Sequence, residues 1–292
     1  MEPVEMLFRL LPEETVRMAG VIPEQATELR MRAGRPIQWV TLRDSFFRGE
    51  TMSAALLKRS VAALAEHSLY SREEELKSGY FTLRGGCRAG ICGRFMPQGR
   101  VSMEEIGSVN IRIARSVHGA ADRLMPYLHE NGQICSFLIL SPPGMGKTTL
   151  LRDAVRQISD SGMQVCVADE RGEVAACSGG IPTLDVGRQT DVMDGCQKSL
   201  AIPMMIRTMS PEVLAADELG GKDDARAVMQ AGRCGVRVAA TCHASSLEDA
   251  MGREGISDLL AAGIFSRIIR LGAPGGSMQI KDAQGQTLAE WS

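Results

Sequence analysis

A chain of 292 residues with 44% apolar and 23% charged side chains can bury a substantial core, which excludes an intrinsically disordered protein. Its 33 Lys and Arg against 35 Asp and Glu leave a formal net charge of −2, which excludes a globally basic nucleic-acid binder. Residues 1–130 carry 18 basic against 16 acidic side chains, or +2, and residues 131–292 carry 15 against 19, or −4, so neither half makes a strong field.

At about 100–200 residues per domain, the length predicts two domains. In the first, residues 27–39 (TELRMRAGRPIQW) place Leu29, Met31 and Ile37 on either side of a Gly-Arg-Pro turn, the pattern of a β-hairpin. Residues 54–69 carry a helical apolar stripe at 56, 57, 61, 64 and 65. The glycine-rich stretch 79–94 (GYFTLRGGCRAGICGR) holds short strands, and 109–113 (VNIRI) alternates like another. These elements predict an α+β N-terminal domain over 1–130, with a break at Asn131-Gly132. From residue 133 the pattern changes. Apolar runs at 134–140, 164–168, 213–216, 236–241 and 264–271 alternate with amphipathic stretches at 147–158, 191–210, 223–232 and 247–253. Strands buried on both faces and alternating with helices specify a parallel sheet covered on both sides. Residues 267–273 and 277–281, around Gly275-Gly276, predict a closing hairpin.

The cysteines at 87, 92, 135, 166, 177, 196, 234 and 242 are scattered and read as reduced thiols in a chain too large to need disulfides. Cys87 and Cys92 lack a second ligand pair, so no zinc site is assigned. The opening residues mix Glu and Arg, and apolar runs such as 137–140 fall far short of the ~20 residues a span needs. A soluble, cytoplasmic protein is expected, with any membrane approach made through a partner.

The strongest chemical signal is 135–155, CSFLILSPPGMGKTTLLRDAV. An apolar strand runs into Pro142-Pro143-Gly144-Met145-Gly146-Lys147-Thr148-Thr149, and a helix follows with Leu150, Leu151, Ala154 and Ile158 inward. Phosphate chemistry needs this order. Gly144 and Gly146 let backbone N–H groups wrap a phosphate, and the helix N-terminus adds partial positive charge. Lys147 reaches the β- and γ-phosphates of ATP, Thr148 offers a hydroxyl to Mg2+, and Pro143, Met145 and Thr149 complete the loop. Ser141 stands where the pattern G-x-x-x-x-G-K-[ST] begins with glycine, but the strand before and the helix after are both present.

Residues 213–218 (VLAADE) read as a buried strand ending in two acids. Alone, this is an ordinary strand end with solvated carboxylates. After a P-loop it is the place where Asp217 serves the metal and Glu218 acts as general base on water. Other groups are expected on the same sheet edge. Asp169-Glu170-Arg171-Gly172-Glu173 follows one strand, and His243 follows another, placed to sense the γ-phosphate. Arg188, Asp191 and Arg207 lie on the approach to the acidic strand, and the arginines either contact nucleotide in cis or act across a subunit boundary as fingers.

The set SPPGMGKTTLLRDAVRQIS, ADERGEVAAC, DVGRQTDVMDGCQK, MMIRTMSPEVLAADELGG and AATCHASS resembles the stage III sporulation protein AA family, itself similar to the hexameric traffic ATPases of type II and type IV secretion and of pilus systems. GYFTLRGGCRAGICGR and VNIRIARSVHGAADRL resemble that family's N-terminal domain, so the likeness spans most of the chain. Residues 144–149 match the Walker A loop. Asp169, Glu170 and Glu173 fall in the acidic box, Arg207 and Pro211 precede the Walker B strand, Glu218 matches its glutamate, and Thr241 and His243 match the histidine box. One departure is Asp217-Glu218, as in AAA-type ATPases, where secretion ATPases often have Gly-Glu.

Pattern and resemblance together predict an α/β chain: a RecA-like P-loop NTPase core over 131–292, its mainly parallel sheet carrying helices on both faces and a C-terminal β-hairpin, preceded by the smaller α+β domain. The resemblance implies a Mg2+-dependent ATPase, a homo-oligomer built as a hexameric ring. It would serve membrane-embedded components of a secretion-like complex on the mother-cell side of the forespore envelope. The alternative is a nucleic-acid-directed P-loop ATPase using Arg84, Arg88, Arg94, Arg100, Arg112 and Arg115. Tyr80, Phe81 and Phe95 are few aromatics for a base-stacking platform, which makes nucleic acid the weaker partner.

Overall fold

The computed structural model describes residues 3–41, 43–65, 79–83, 86–96, 100–113, 117–177, 179–272 and 276–291. The chain divides into two compact units, residues 1–115 with 176–178, and residues 116–175 with 179–292. The turn-rich break read from the sequence lies at 131, whereas the grouping by contacts places residues 116–130 with the second unit.

In the first unit, helices α1 (Pro3–Leu10) and α2 (Glu13–Ala19) precede strands β1 (Ala26–Arg32), β2 (Ile37–Thr41) and β3 (Ser45–Arg48). Helix α3 (Ala54–Leu64) and strands β4 (Tyr80–Thr82), β5 (Arg88–Met96) and β6 (Arg100–Arg112) follow. The strands form one antiparallel sheet in the order β3-β2-β1-β6-β5-β4. Period-two alternation buries Leu29 and Met31 of β1 and turns Glu28, Arg30 and Arg32 the other way. The stripe of α3, Leu56, Leu57, Val61 and Leu64, joins the same core. Ser53 caps α3 by accepting from Leu56 N at 3.1 Å, which satisfies one orphan donor. Trp39 is fully buried, its Nε1 donating to Ala19 O at 2.9 Å and its ring stacked on Phe8, so truncation to alanine would cost about 3–5 kcal/mol. Residues 66–69, the end of the helix read from the sequence, lie outside the described residues.

In the second unit, a hairpin of β7 (His129–Glu130) and β8 (Gln133–Ile134) leads to β9 (Phe137–Ser141), α4 (Lys147–Asp160), β10 (Val165–Asp169) and β11 (Thr190–Asp194). Then come α5 (Lys198–Thr208), β12 (Val213–Ala216), α6 (Lys222–Arg233), β13 (Arg237–His243), α7 (Leu247–Met251) and α8 (Ile256–Ala261). Strands β14 (Arg267–Leu271), β15 (Met278–Asp282) and β16 (Thr287–Trp291) complete it. The sheet order is β11-β10-β12-β13-β9-β14-β15-β16; the first six run parallel, and β15 and β16 return antiparallel. Every residue of β9, β10 and β12 is buried, as apolar runs covered on both faces require. Helix α4 packs against β9, β10 and β13, and the opposite face builds a core with Ile202 of α5, Val228 of α6 and Leu259 of α8.

Residues 191–210 do not form one helix: Thr190–Asp194 pair in parallel with β10, and the helix begins at Lys198. The open edge of β10 offers backbone groups that need partners, and that demand outweighs the weak helical stripe of Val192 and Met193. Among the described residues, no helix is long and apolar enough to cross a membrane.

Candidate functional site

The site stands at the strand ends of the parallel sheet. Strand β9 delivers Ser141 into the loop 142–146, and α4 opens at Lys147. Gly144 and Gly146 hold φ of 79° and 91°, the left-handed region, and a Cβ on either would meet nothing within 4 Å. Backbone conformation therefore demands the glycines there, and crowding does not. Ser141 is buried, with its hydroxyl donating to Pro142 O at 2.8 Å, and its φ is not among the positive values. That explains why the first glycine of the pattern is dispensable here. Pro143, Met145 and Thr149 sit in this loop and first helical turn.

Lys147 is buried, with Nζ 2.8 Å from His243 Nδ1 and 3.5 Å from Pro142 O. Burial holds its pKa below the ordinary lysine value, against the opposing pull of the Asp217 and Glu218 charges. An ammonium only donates, so Nδ1 accepts and a neutral imidazole carries its proton on Nε2, which lies 3.4 Å from Glu218 Oε1. The other Glu218 oxygen accepts from Arg171 Nη1 at 2.7 Å. Beside this chain, Thr148 Oγ1 donates to Asp217 Oδ2 at 2.6 Å, and Thr241 Oγ1 donates to Asp217 Oδ1. Lys147, Thr148, Asp217, Glu218, Arg171 and His243 are thus brought together from four segments.

Glu170 stands at the edge of the same region, with Oε2 2.6 Å from Nζ of Lys198. That hydrogen bond holds its carboxyl below the usual carboxylate range. Asp224 lies 4.0 Å from the same Nζ, and burial pushes its carboxyl up. A cleft of about 420 Å³ opens here, lined by Glu170, Arg171, Lys198, Glu218, Asp224 and His243 among others. Lys198, at 5% exposure, is a site residue the sequence reading passed over. Its one signal was scarcity, since the chain has only six lysines.

Asp169 is placed differently. It is buried, with Oδ1 accepting from Glu173 N at 2.9 Å and Oδ2 from Val174 N and Ala175 N at 3.1 and 2.8 Å. Arg152 of α4, also buried, takes the carbonyls of Glu173 and Val174, each at 2.6 Å. The two charges clamp the turn that presents Glu170 and Arg171.

Arg188 and Arg207 are not brought to this edge, which corrects the expectation that they join the strand-end cluster. Thr190 faces Val165, the first residue of β10, so Arg188 lies at the strand-start edge; its side chain is 83% exposed, with Nε 3.3 Å from Asp160. Arg207 occupies the last turn of α5, ahead of the start of β12, with Nε donating to Pro203 O at 3.1 Å. A crossover helix carries the chain from strand ends back to strand starts, so its last turn lies at the far edge.

One carboxylate and one hydroxyl oxygen at the loop fit Mg2+, which keeps waters and phosphate oxygens as its remaining ligands. Among the described residues, no group of three or more His, Cys, Asp and Glu side chains is gathered for a metal. Mg2+ bound together with phosphate does not need one.

A parallel sheet, a strand–P-loop–helix unit and an acidic strand two places away define the fold class as a RecA-like P-loop NTPase core joined to an antiparallel α+β unit. Solved structures share this fold. The Legionella pneumophila ATPase DotB matches 98% of this chain and 79% of its own at a TM-score of 0.58 and 14% identity. The pilus retraction motor PilT with bound ADP matches 84% of this chain and 74% of its own at 0.59 and 15%. The chain belongs to the family described as sporulation stage III, protein AA, whose profile matches residues 5–288. It is 38% identical to stage III sporulation protein AA of Bacillus subtilis (strain 168), over 97% of this chain and 96% of that protein.

Proposed function

We propose that the chain is a Mg2+-dependent ATPase. The observation that carries this reading is the 2.6 Å hydrogen bond between Thr148 Oγ1 and Asp217 Oδ2, which sets the loop hydroxyl and the strand-end carboxylate within reach of one hard cation. When bound there, Mg2+ supplies positive charge beside the phosphate oxygens. The backbone N–H groups of 144–149, at the loop and the start of α4, bind the phosphates, and Lys147 adds its charge. Glu218 takes a proton from the attacking water at one of its carboxylate oxygens. His243 Nε2 and Arg171 Nη1 orient that carboxylate from its two sides. Glu170 acts from the rim of the cleft, held by Lys198.

Family membership supports work in endospore formation, and the fold shared with the DotB ATPase and the PilT motor supports a motor that energises a secretion-like complex across the envelope. We assign it a homo-oligomeric, hexameric ring that meets the membrane through membrane-embedded partners. Arg188 and Arg207, exposed on the strand-start edge, are the groups this reading gives to a neighbouring subunit. Phosphate release measured against protein concentration, alongside size by light scattering, tests it. A rate that rises as the ring assembles is expected, and a monomer hydrolysing ATP at a concentration-independent rate overturns the ring. The nucleic-acid reading gains little from the first unit. Arg94 pairs with Glu105, Arg112 lies 3.7 Å from Glu28, and Arg88 lies over the Tyr80 ring.

A further inference from the structure

Thr241 is fully buried near the end of β13 and makes three hydrogen bonds to one corner of the site. Its hydroxyl donates to Asp217 Oδ1 and accepts from Glu218 N at 2.7 Å, and its carbonyl accepts from Leu219 N at 2.8 Å. The topology makes it the residue to do so. Strands β12 and β13 stay in parallel register as far as Ala216 opposite Ala240, so residue 241 is the next position on β13 as the chain of β12 turns away. The turn is strained. Glu218 sits at φ 56°, in the left-handed region that a residue with a Cβ keeps only when its surroundings hold it. A threonine hydroxyl is one of the few small side-chain groups with both a donor and an acceptor, and both are in use here. Valine fills the same volume with neither.

We propose that Thr241 is the positioning residue of the acidic corner. Its hydroxyl fixes the Asp217 carboxylate so that Oδ2 is presented to Thr148. It also holds the Glu218 backbone in the conformation that aims its carboxylate between His243 and Arg171. Thr241 acts through these two residues and is not itself catalytic. The consequence for turnover rests on the ATPase reading, while the geometric claim does not.

The test uses the full chain with Thr241→Val, Thr241→Ser and, should the valine variant fail to fold, Thr241→Cys, whose thiol is only a weak donor and acceptor. Thr241→Val is expected to lower kcat by about 100-fold, the scale of an ångström-sized misplacement of a catalytic group. Equilibrium binding of a fluorescent ATP analogue should stay at the wild-type value, and Thr241→Ser should restore turnover. In a crystal structure of the valine variant, Glu218 φ should become negative. The proposal is overturned if Thr241→Val turns over like the wild type, if the serine variant is as impaired as the valine variant, or if Glu218 keeps its positive φ without the hydroxyl. A wild-type chain that releases no phosphate sinks the ATPase reading instead, and the valine structure still decides the role of Thr241.

Discussion

Strands β10 and β12 lie side by side, in register from Val165 opposite Val213 to Ala168 opposite Ala216, and each runs out into Asp-Glu. The two identical dipeptides are put to opposite uses. After Asp169 the chain folds back, and the backbone N–H groups of 173–175 converge on its carboxylate, whose charge is spent on holding a turn. After Asp217 the chain leaves through the left-handed step of Glu218, no turn comes back, and the carboxylate meets the hydroxyls of Thr148 and Thr241 instead. Glu170 is matched by a buried lysine, whereas Glu218 faces an exposed arginine and a histidine. A carboxylate at a strand end thus takes its role from what the next few residues return to it.

The distinction can be broken most sharply at the two glutamates. Glu218→Gln is expected to lower phosphate release by about 10²–10⁴-fold, the usual contribution of a positioned base, with nucleotide binding kept. Glu170→Gln should fall clearly less in the same assay, and equal losses would erase the contrast. At the aspartates the contrast turns to stability. Asp169→Ala leaves the buried N–H groups of Val174 and Ala175 and the half-buried one of Glu173 without their charged acceptor and should cost about 3 kcal/mol in thermal or urea unfolding. Asp217→Ala should cost less, about 1 kcal/mol for the buried Thr241 hydroxyl left without its acceptor, and lose Mg2+-dependent turnover; a loss as large as at Asp169 would make both strand ends structural.

A smaller effect sharpens the same point from α4. Asp153 accepts from Ala121 N at 2.8 Å and pairs with Arg156 at 2.8 Å. Burial raises its carboxyl pKa, but the Ala121, Arg156 and Gln157 bonds outweigh it and leave the value below the ordinary 3.8. A depressed folded pKa gives stability that is complete above the unfolded value of 3.8 and lost as pH falls through the folded one. Asp153→Asn should therefore cost about 1–2 kcal/mol at neutral pH, and its unfolding curve should converge with the wild type in acid. The smallest effect is expected at the far edge. Arg188→Ala and Arg207→Ala should leave ATP affinity of the isolated subunit unchanged in equilibrium binding, and a loss there would return both arginines to their own subunit's site.

The parallel sheet and the loop were legible because their signal is local. A strand, two glycines at left-handed φ, a lysine and a helix are contiguous in 137–160, and no partner strand is needed to read them. Which edge a residue reaches is set by topology, and that is why Arg188 and Arg207 read as neighbours of the acidic strand although the crossover carries them away. Residues 190–194 form a strand because β10 lies beside them, which nothing in TDVMD announces. Lys198 was illegible for the same reason, since its partners Glu170 and Asp224 come from different crossovers. The clamp on Asp169 is not legible in the sequence, because backbone N–H groups leave no mark there.

The contact between Lys147 and His243 makes the imidazole a stand-in for an anion. On the function proposed above, a phosphate oxygen reaching Lys147 Nζ would take the place of Nδ1, so the affinity measured for it would be a difference between two bonds. The ring that would be displaced also faces Glu218, so arrival at the loop would be felt on the carboxylate side as well. Filling and arming the site would then be a single exchange of partners.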